Sequence, residues 1–245
     1  MQKIIFQKAI KKEGYCCVDM HIHSVYSKDS NNSVKDIVMT ARYLGIGIAI
    51  CDHDEIKGSI EASKYNVFII PGIEITTKED FHIPIYFYTF SDLQKFFKKV
   101  VAQHSKDHLP IDTLIKEART FNCVITLAHP YRILSVSSFH TKKKKILKIS
   151  EKVDCVEVIN SKNFHRENVK ALQLSSTGVT GGSDAHCLHE IGLSATYVKN
   201  CKTVKKFLDN VKKGNAFVIG TETTFIKKIS PAFSYVQKKI TKLIH

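Results

Sequence analysis

No apolar run in the chain approaches the ~20 residues that a membrane-spanning helix requires, so a transmembrane protein is not expected. The opening stretch MQKIIFQKAIKKEGY lacks the layout of a cleavable signal, because lysines interrupt its apolar residues, and the expected compartment is the cytosol. Cysteines 16, 17, 51, 123, 155, 187 and 201 are odd in number and show no CxxC spacing. That does not read as a disulfide framework and points to buried free thiols. No stretch rich in glycine, serine or proline divides the chain and no internal repeat is seen, so one domain with a C-terminal extension is expected. Arginine is scarce, with only Arg42, Arg119, Arg132 and Arg166, so the formal net charge of +14 is carried almost wholly by lysine. Lysines spread over helices form solvated faces, although a positive field also suits an anionic partner, phosphate or nucleic acid. The run Lys142 to Lys145 has no interleaved aromatics and opens a helix, so it is not a nucleic-acid signature.

What is present is an ordinary globular balance, 43% hydrophobic and 24% charged over 245 residues. Short apolar runs alternate with amphipathic stretches, the rhythm of repeated βα units on a mainly parallel sheet. The runs YCCVDMHIHS, IGIAICDHD, FIIPGIEIT, HIPIYFYTF, CVITLAHP, CVEVINS and VTGGSDAH read as strands. SVKDIVMTARYLG reads as a helix capped by Ser33 and ended by Gly45, and PIDTLIKEARTF as a helix begun at Pro110. After Ile191 follow a strand LSATYV, a helix KTVKKFLDNVKKG, a strand AFVIG and a basic amphipathic tail from Pro231 to His245.

The placement of the twelve histidines carries the chemistry. His21, His23, His53, His129 and His186 fall at the C-terminal ends of apolar runs, and in a barrel of parallel strands those ends converge on one face. In VDMHIHS the two-residue period of a strand sends Asp19, His21 and His23 to one side. Asp184 and His186 repeat that spacing in GGSDAH, and Glu74 is an isolated carboxylate inside the apolar run IIPGIEI. A buried carboxylate needs a partner, and a cation supplies one while holding imidazoles neutral. Mixed nitrogen and oxygen ligands without thiolates suit zinc, iron or manganese, and do not suit calcium. Ser24 and Ser183 lie within these motifs, but neither sits in a GxSxG turn, which argues against a serine hydrolase.

The ordered motifs DMHIHSVYSKDS, CDHD, PGIEI, LAHP and GGSDAH resemble those of the polymerase and histidinol phosphatase (PHP) family of metal-dependent phosphoesterases, over roughly residues 17 to 198. The resemblance implies a distorted (βα)7 TIM-like barrel over residues 15–198, with a short α/β extension over 199–245 packed on it. It implies two or three divalent ions at the strand ends. The first would take His21, His23, Glu74 and Asp184; a second would share Glu74 and add His82 and His129; a third would take Asp29, His53 and His186. His104 and His108 are alternatives to His82, whereas His140, His165, His189 and His245 match no ligand position. Arg132 in AHPYR is expected at the mouth of the site as a phosphate contact, with Lys28 and Arg166 as weaker ones. Asp19 and Asn160 are expected to orient histidines or substrate.

Clustered dications lower the pKa of a bridging water and clamp phosphate oxygens during in-line displacement, so no nucleophilic side chain is required. The expected function is hydrolysis of a phosphate ester of a small molecule or nucleotide. Two alternatives remain beside it: a nuclease or oligoribonuclease exploiting the basic charge, and a non-catalytic metal-stabilised module, which would lack ligands. The chain is far too short to be a polymerase subunit.

Overall fold

The computed structural model of the protein describes residues 4–6, 11–104, 108–132, 139–174 and 178–222, so the basic tail Pro231 to His245 lies outside the described residues. All nine apolar runs singled out above contain strands, and a tenth strand precedes them. In chain order these are β1 (Ile4–Phe6), β2 (Tyr15–Ile22), β3 (Gly47–Ile50), β4 (Gly72–Thr76), β5 (His82–Phe87), β6 (Cys123–Leu127), β7 (Cys155–Asn160), β8 (Gly178–Gly182), β9 (Ser194–Lys199) and β10 (Phe217–Gly220). The helices are α1 (Val34–Leu44), α2 (Lys57–Ala62), α3 (Phe90–Phe96), α4 (Ile111–Ala118), α5 (Phe139–Ser150), α6 (His165–Leu172) and α7 (Val204–Lys212). In α1 the Ser33 side chain accepts the Asp36 N–H, Gly45 takes the left-handed conformation at φ 66°, and Val34, Ile37, Val38 and Ala41 are buried.

The strands form two five-stranded sheets, in the orders β1-β10-β9-β2-β3 and β4-β5-β6-β7-β8. Half the ladders are antiparallel, which corrects the mainly parallel arrangement expected from the rhythm of the sequence. β1–β10, β2–β3, β6–β7 and β7–β8 are parallel; β9–β10, β2–β9, β4–β5 and β5–β6 are antiparallel. The reason is visible at β4–β5. Only residues 77–81 join them, with the Thr77 N–H bonded to the Phe81 carbonyl, whereas a parallel crossover needs about a dozen residues. The regular ladders do not close into one ring; isolated parallel bridges, Ile22 to Ala185, Ile48 to Ile69 and His53 to Glu74, join the two sheets.

This topology positions the candidate site. Strands β2, β3, β6, β7 and β8 deliver residues from their C-terminal ends. β5 runs the other way, so its first residue, His82, lies at the same end, where its carbonyl accepts the Ala128 N–H. Below that end the central strands bury apolar side chains: Val18, Met20, Ile22, Ile48, Ile50, Ile73, Ile125 and Val158 have no exposed surface. Each such burial stabilises the fold by ~1.5–3 kcal/mol relative to exposure, and this immobile base is what fixes the polar residues above it.

Candidate metal centre

Glu74, in the middle of β4, has no exposed surface, yet neither of its oxygens accepts a hydrogen bond. Five imidazoles surround it. Its Oε1 lies 3.2 Å from His21 Nε2, 3.4 Å from His82 Nδ1 and 3.7 Å from His129 Nε2, and its Oε2 lies 3.1 Å from His53 Nδ1 and 3.4 Å from His23 Nε2. His53 Nδ1 is likewise buried without a hydrogen-bond partner. Asp184 Oδ1 sits 3.2 Å from His23 Nε2 and 3.8 Å from His21 Nε2. Asp29, half exposed, reaches His186 Nε2 at 2.9 Å and His53 Nε2 at 3.4 Å.

These spacings suit shared cations. Donors about 2.1 Å from one ion stand roughly 3 to 3.5 Å apart, whereas a buried carboxylate left without donors costs several kcal/mol. Three groups converge closely enough to hold an ion: His21, His23 and Asp184; His23, Asp29, His53 and His186; and His53, Glu74 and His82. Eight of the nine ligand candidates read from the sequence fall in these groups, and the ninth, His129, stands beside them with its Nε2 3.7 Å from Glu74. His108 lines the adjacent cleft but belongs to none of the groups found among the described residues, and the side chain of His104 lies outside those described. His165 bonds Glu222 and His189 is exposed, both apart from the cluster, whereas the side chains of His140 and His245 lie outside the described residues.

The electrostatics follow from crowding. Burial pushes His23 down to about 3 and, helped by the Arg132 charge, His129 down to about 4, which leaves both neutral with a lone pair to offer. For His21 burial acts the same way, but Glu74, Glu157 and Asp184 outweigh it and hold the imidazole well above its ordinary value. His53 behaves alike: Glu74 and Asp29 overcome burial and lift it to about 9. Glu74 and Asp184 are held well below the usual carboxylate range against burial, the first by His21 and His53, the second by Arg132 and His21. A bound cation would replace these protons as the compensating charge.

Glu157, which the sequence reading passed over, organises the base of the cluster. Its Oε1 lies 3.0 Å from His21 Nδ1, and its Oε2 accepts the His129 N–H and the Asn160 side-chain amide, both at 2.9 Å. With Nδ1 donating to Glu157, Nε2 is the His21 nitrogen that would offer a lone pair on the Glu74 side once a cation displaces its proton. The signal was available, since Glu157 is a lone carboxylate in the apolar run CVEVINS, as Glu74 is in its own run. Strand period would send Glu157 and Asn160 to opposite faces, but a register shift between Glu157 and Ile159 brings both to the same side.

Asp19 does not touch an imidazole: it accepts the backbone N–H groups of His21, Ser183 and Gly192. Asn160 bridges Arg132, Glu157 and Asp184. Arg132 donates to Asp184 Oδ2 at 2.5 Å, to Asn160 at 2.6 Å and to Asn163 at 3.2 Å. Lys28 lines the cleft, whereas the Arg166 guanidinium lies over the Phe164 ring. Ser24 donates to the Asp52 carboxylate and Ser183 to the His21 carbonyl, so neither hydroxyl is paired with an imidazole. His129 and Asp184 both have positive φ, 26° and 55°, strained conformations that hold ligand-bearing turns at the strand ends.

Comparison with known proteins bears on the family and the fold. The family model described as PHP domain matches residues 19–218. An uncharacterised protein of Methanocaldococcus jannaschii is 30% identical over 183 residues, which cover 71% of this chain and 67% of that protein. Among solved structures, a two-domain protein of Bacteroides vulgatus containing a predicted PHP-like metal-dependent phosphoesterase superposes with a TM-score of 0.62 at 17% identity, covering 96% of this chain and 74% of that one. A lesion-specific endonuclease from Pyrococcus furiosus superposes with a TM-score of 0.64 at 19% identity, covering 83% of this chain and 57% of the endonuclease. At such identities the two structures show a shared fold.

Proposed function

From the premise that the chain belongs to the PHP domain family, we propose that it is a metal-dependent phosphoesterase hydrolysing phosphate esters of a small molecule or nucleotide. The observation that carries this reading is Glu74, fully buried, without a hydrogen-bond donor, and facing five imidazoles. In the same reading the two bridged sheets are the halves of a distorted (βα)7 barrel, with residues 199–245 as its C-terminal extension.

His21, His23, Glu74 and Asp184 would hold one ion, Glu74, His82 and His129 a second, and Asp29, His53 and His186 a third, with zinc, manganese or iron matching the donor set. Bound there, the ions supply an activated water and neutralise the charge that grows on phosphate oxygens. The protein groups do the rest. Glu157 sets the His21 tautomer, while Asp19 holds the backbone of β2 against the turn carrying Asp184. Arg132 and Asn160 hold Asp184 from the side away from the histidines and present a guanidinium edge, 22% exposed, to an entering phosphate.

Metal analysis of the purified protein, followed by a panel of nucleotides, sugar phosphates and dinucleotides, tests the reading. Wild type is expected to carry stoichiometric divalent metal and release phosphate, and Glu74→Ala to lose both metal and stability. A Glu74→Ala protein with full metal content and undiminished turnover would end the proposal. A nuclease is the second reading, supported by the net charge of +14. It predicts turnover of long nucleic acid that falls steeply with salt, a slope a small ester does not show.

A further inference from the structure

We infer that the cleft beside the cluster receives an apolar, ring-sized leaving alcohol, a substrate class that deepens the phosphoesterase reading and rests on it. The cleft has a volume of about 720 Å³ and two unlike sides. The cluster borders it through Asp29, His53 and His82, an apolar wall is formed by Ile75, Phe97, Val101, Ala102, Leu109 and Leu114, and Tyr26, Lys28, Thr76 and His108 also line it. Nearby acids are already engaged: Asp54 accepts the Thr76 N–H, and Glu55 accepts from Ile56 and Lys57. A polyol pressed against such a wall would leave its hydroxyls desolvated, whereas a flat apolar ring gains from the same burial.

The wall is built in, not left over. Helix α3 does not end at Phe96 but widens into a π turn over Phe97–Val101, in which the Ala102 N–H reaches the Phe97 carbonyl, and then tightens over Ala102–His104. Widened turns of this kind concentrate at functional sites because they redirect side chains at a cost in helix stability. Leu109 is fixed through its carbonyl to the Lys78 N–H, and the Ile111 N–H is capped by Glu79. Both tethers come from the β4–β5 connection, flanked by the strands that carry Glu74 and His82. Wall and cluster are thereby held in one register, so an ester with its phosphorus at the cluster lays its alcohol along the wall. In the reaction the bond from phosphorus to the alcohol oxygen breaks, a bond from phosphorus to a water oxygen forms, and the proton lost by water ends on the alcohol.

The test compares phenyl phosphate with glycerol phosphate on the metal-replete full chain, in wild type, Ala102→Asp and Phe97→Ala. Wild type is expected to favour phenyl phosphate by roughly tenfold or more in kcat/KM, mainly through KM. Ala102→Asp, a change at an exposed position, brings the ratio of the two esters toward one, and Phe97→Ala lowers it. Binding of benzyl alcohol, followed by saturation-transfer NMR, is expected in wild type and lost in Ala102→Asp. Equal kcat/KM for the two esters, or a ratio unmoved in Ala102→Asp with metal content intact, overturns the cleft assignment while phosphoesterase activity stands. Hydrolysis of neither ester removes the phosphoesterase reading instead, and the benzyl alcohol experiment then decides the cleft alone.

Discussion

At the scale of single residues, the cluster depends on carboxylates that act through histidines. Glu157 accepts from His21, from the His129 backbone and from Asn160, using both oxygens. In Glu157→Gln a side-chain N–H must face one of these donors, and the His21 ring loses its fixed tautomer. Metal affinity is expected to fall by about 10- to 100-fold with little change in the far-ultraviolet circular dichroism spectrum. Competition titration with a metal chelator measures it, and an unchanged affinity would show that Glu157 merely fills space. Arg132 plays a different part, since it touches Asp184 on the side opposite the histidines. Arg132→Ala is expected to raise KM by roughly tenfold, the scale of one charged hydrogen bond, with a smaller change in kcat. Unaltered steady-state kinetics would reduce that arginine to a structural partner of Asp184.

At the scale of elements, the site depends on how closely β8 approaches β2. A Cβ added at Gly182 would lie 2.3 Å from His21 Cβ and 2.9 Å from Glu157 Oε1, so only glycine allows the two strands to meet there. Gly182→Ala is expected to destabilise the protein by about 1–3 kcal/mol, and to weaken metal binding as well because the displaced atoms belong to His21 and Glu157. Urea unfolding together with metal content measures both, and retention of wild-type values in each would refute the close approach. Nine strand positions were legible in apolar runs, because burial on both faces writes a strand as continuous hydrophobicity. The helices α2 and α3, of six and seven residues, were not read, because so few positions sample too little of the helical period; α6 was missed as well, although it is as long as α4. The antiparallel sense of β5 was missed for another reason. Strand direction is set by connection length and by partners distant in sequence, and neither appears in the pattern of one segment.

At the scale of the whole molecule, no helix among the described residues is long and apolar enough to cross a membrane. Cys17, Cys51, Cys123 and Cys155 are buried. Burial drives their thiols upward, to about 12 for Cys17 and Cys123, so the reactive thiolate is scarce at neutral pH in the folded state. Their modification requires opening of the fold. Ions bound at a cluster that ties both sheets together oppose that opening by mass action. Chelation is therefore expected to lower the Tm and to speed alkylation of these four thiols, as followed by mass spectrometry of labelled peptides. Labelling that proceeds at the same rate with and without chelator would separate the cluster from global stability.

The amino-acid sequence by itself determined which residues could serve as ligands: HxH, CDHD, an embedded Glu, AHP and GSDAH are local patterns, and local chemistry needs no partner to be recognised. It also determined most strands, since hydrophobic burial is encoded segment by segment. Only the tertiary structure decided that one carboxylate faces five imidazoles, that a reversed strand brings His82 to the same end as its neighbours' C-termini, and that a bulge turns Glu157 beneath His21. It alone set an apolar wall against the cluster. Those facts concern groups up to 136 positions apart, brought together by packing whose geometry no single segment contains.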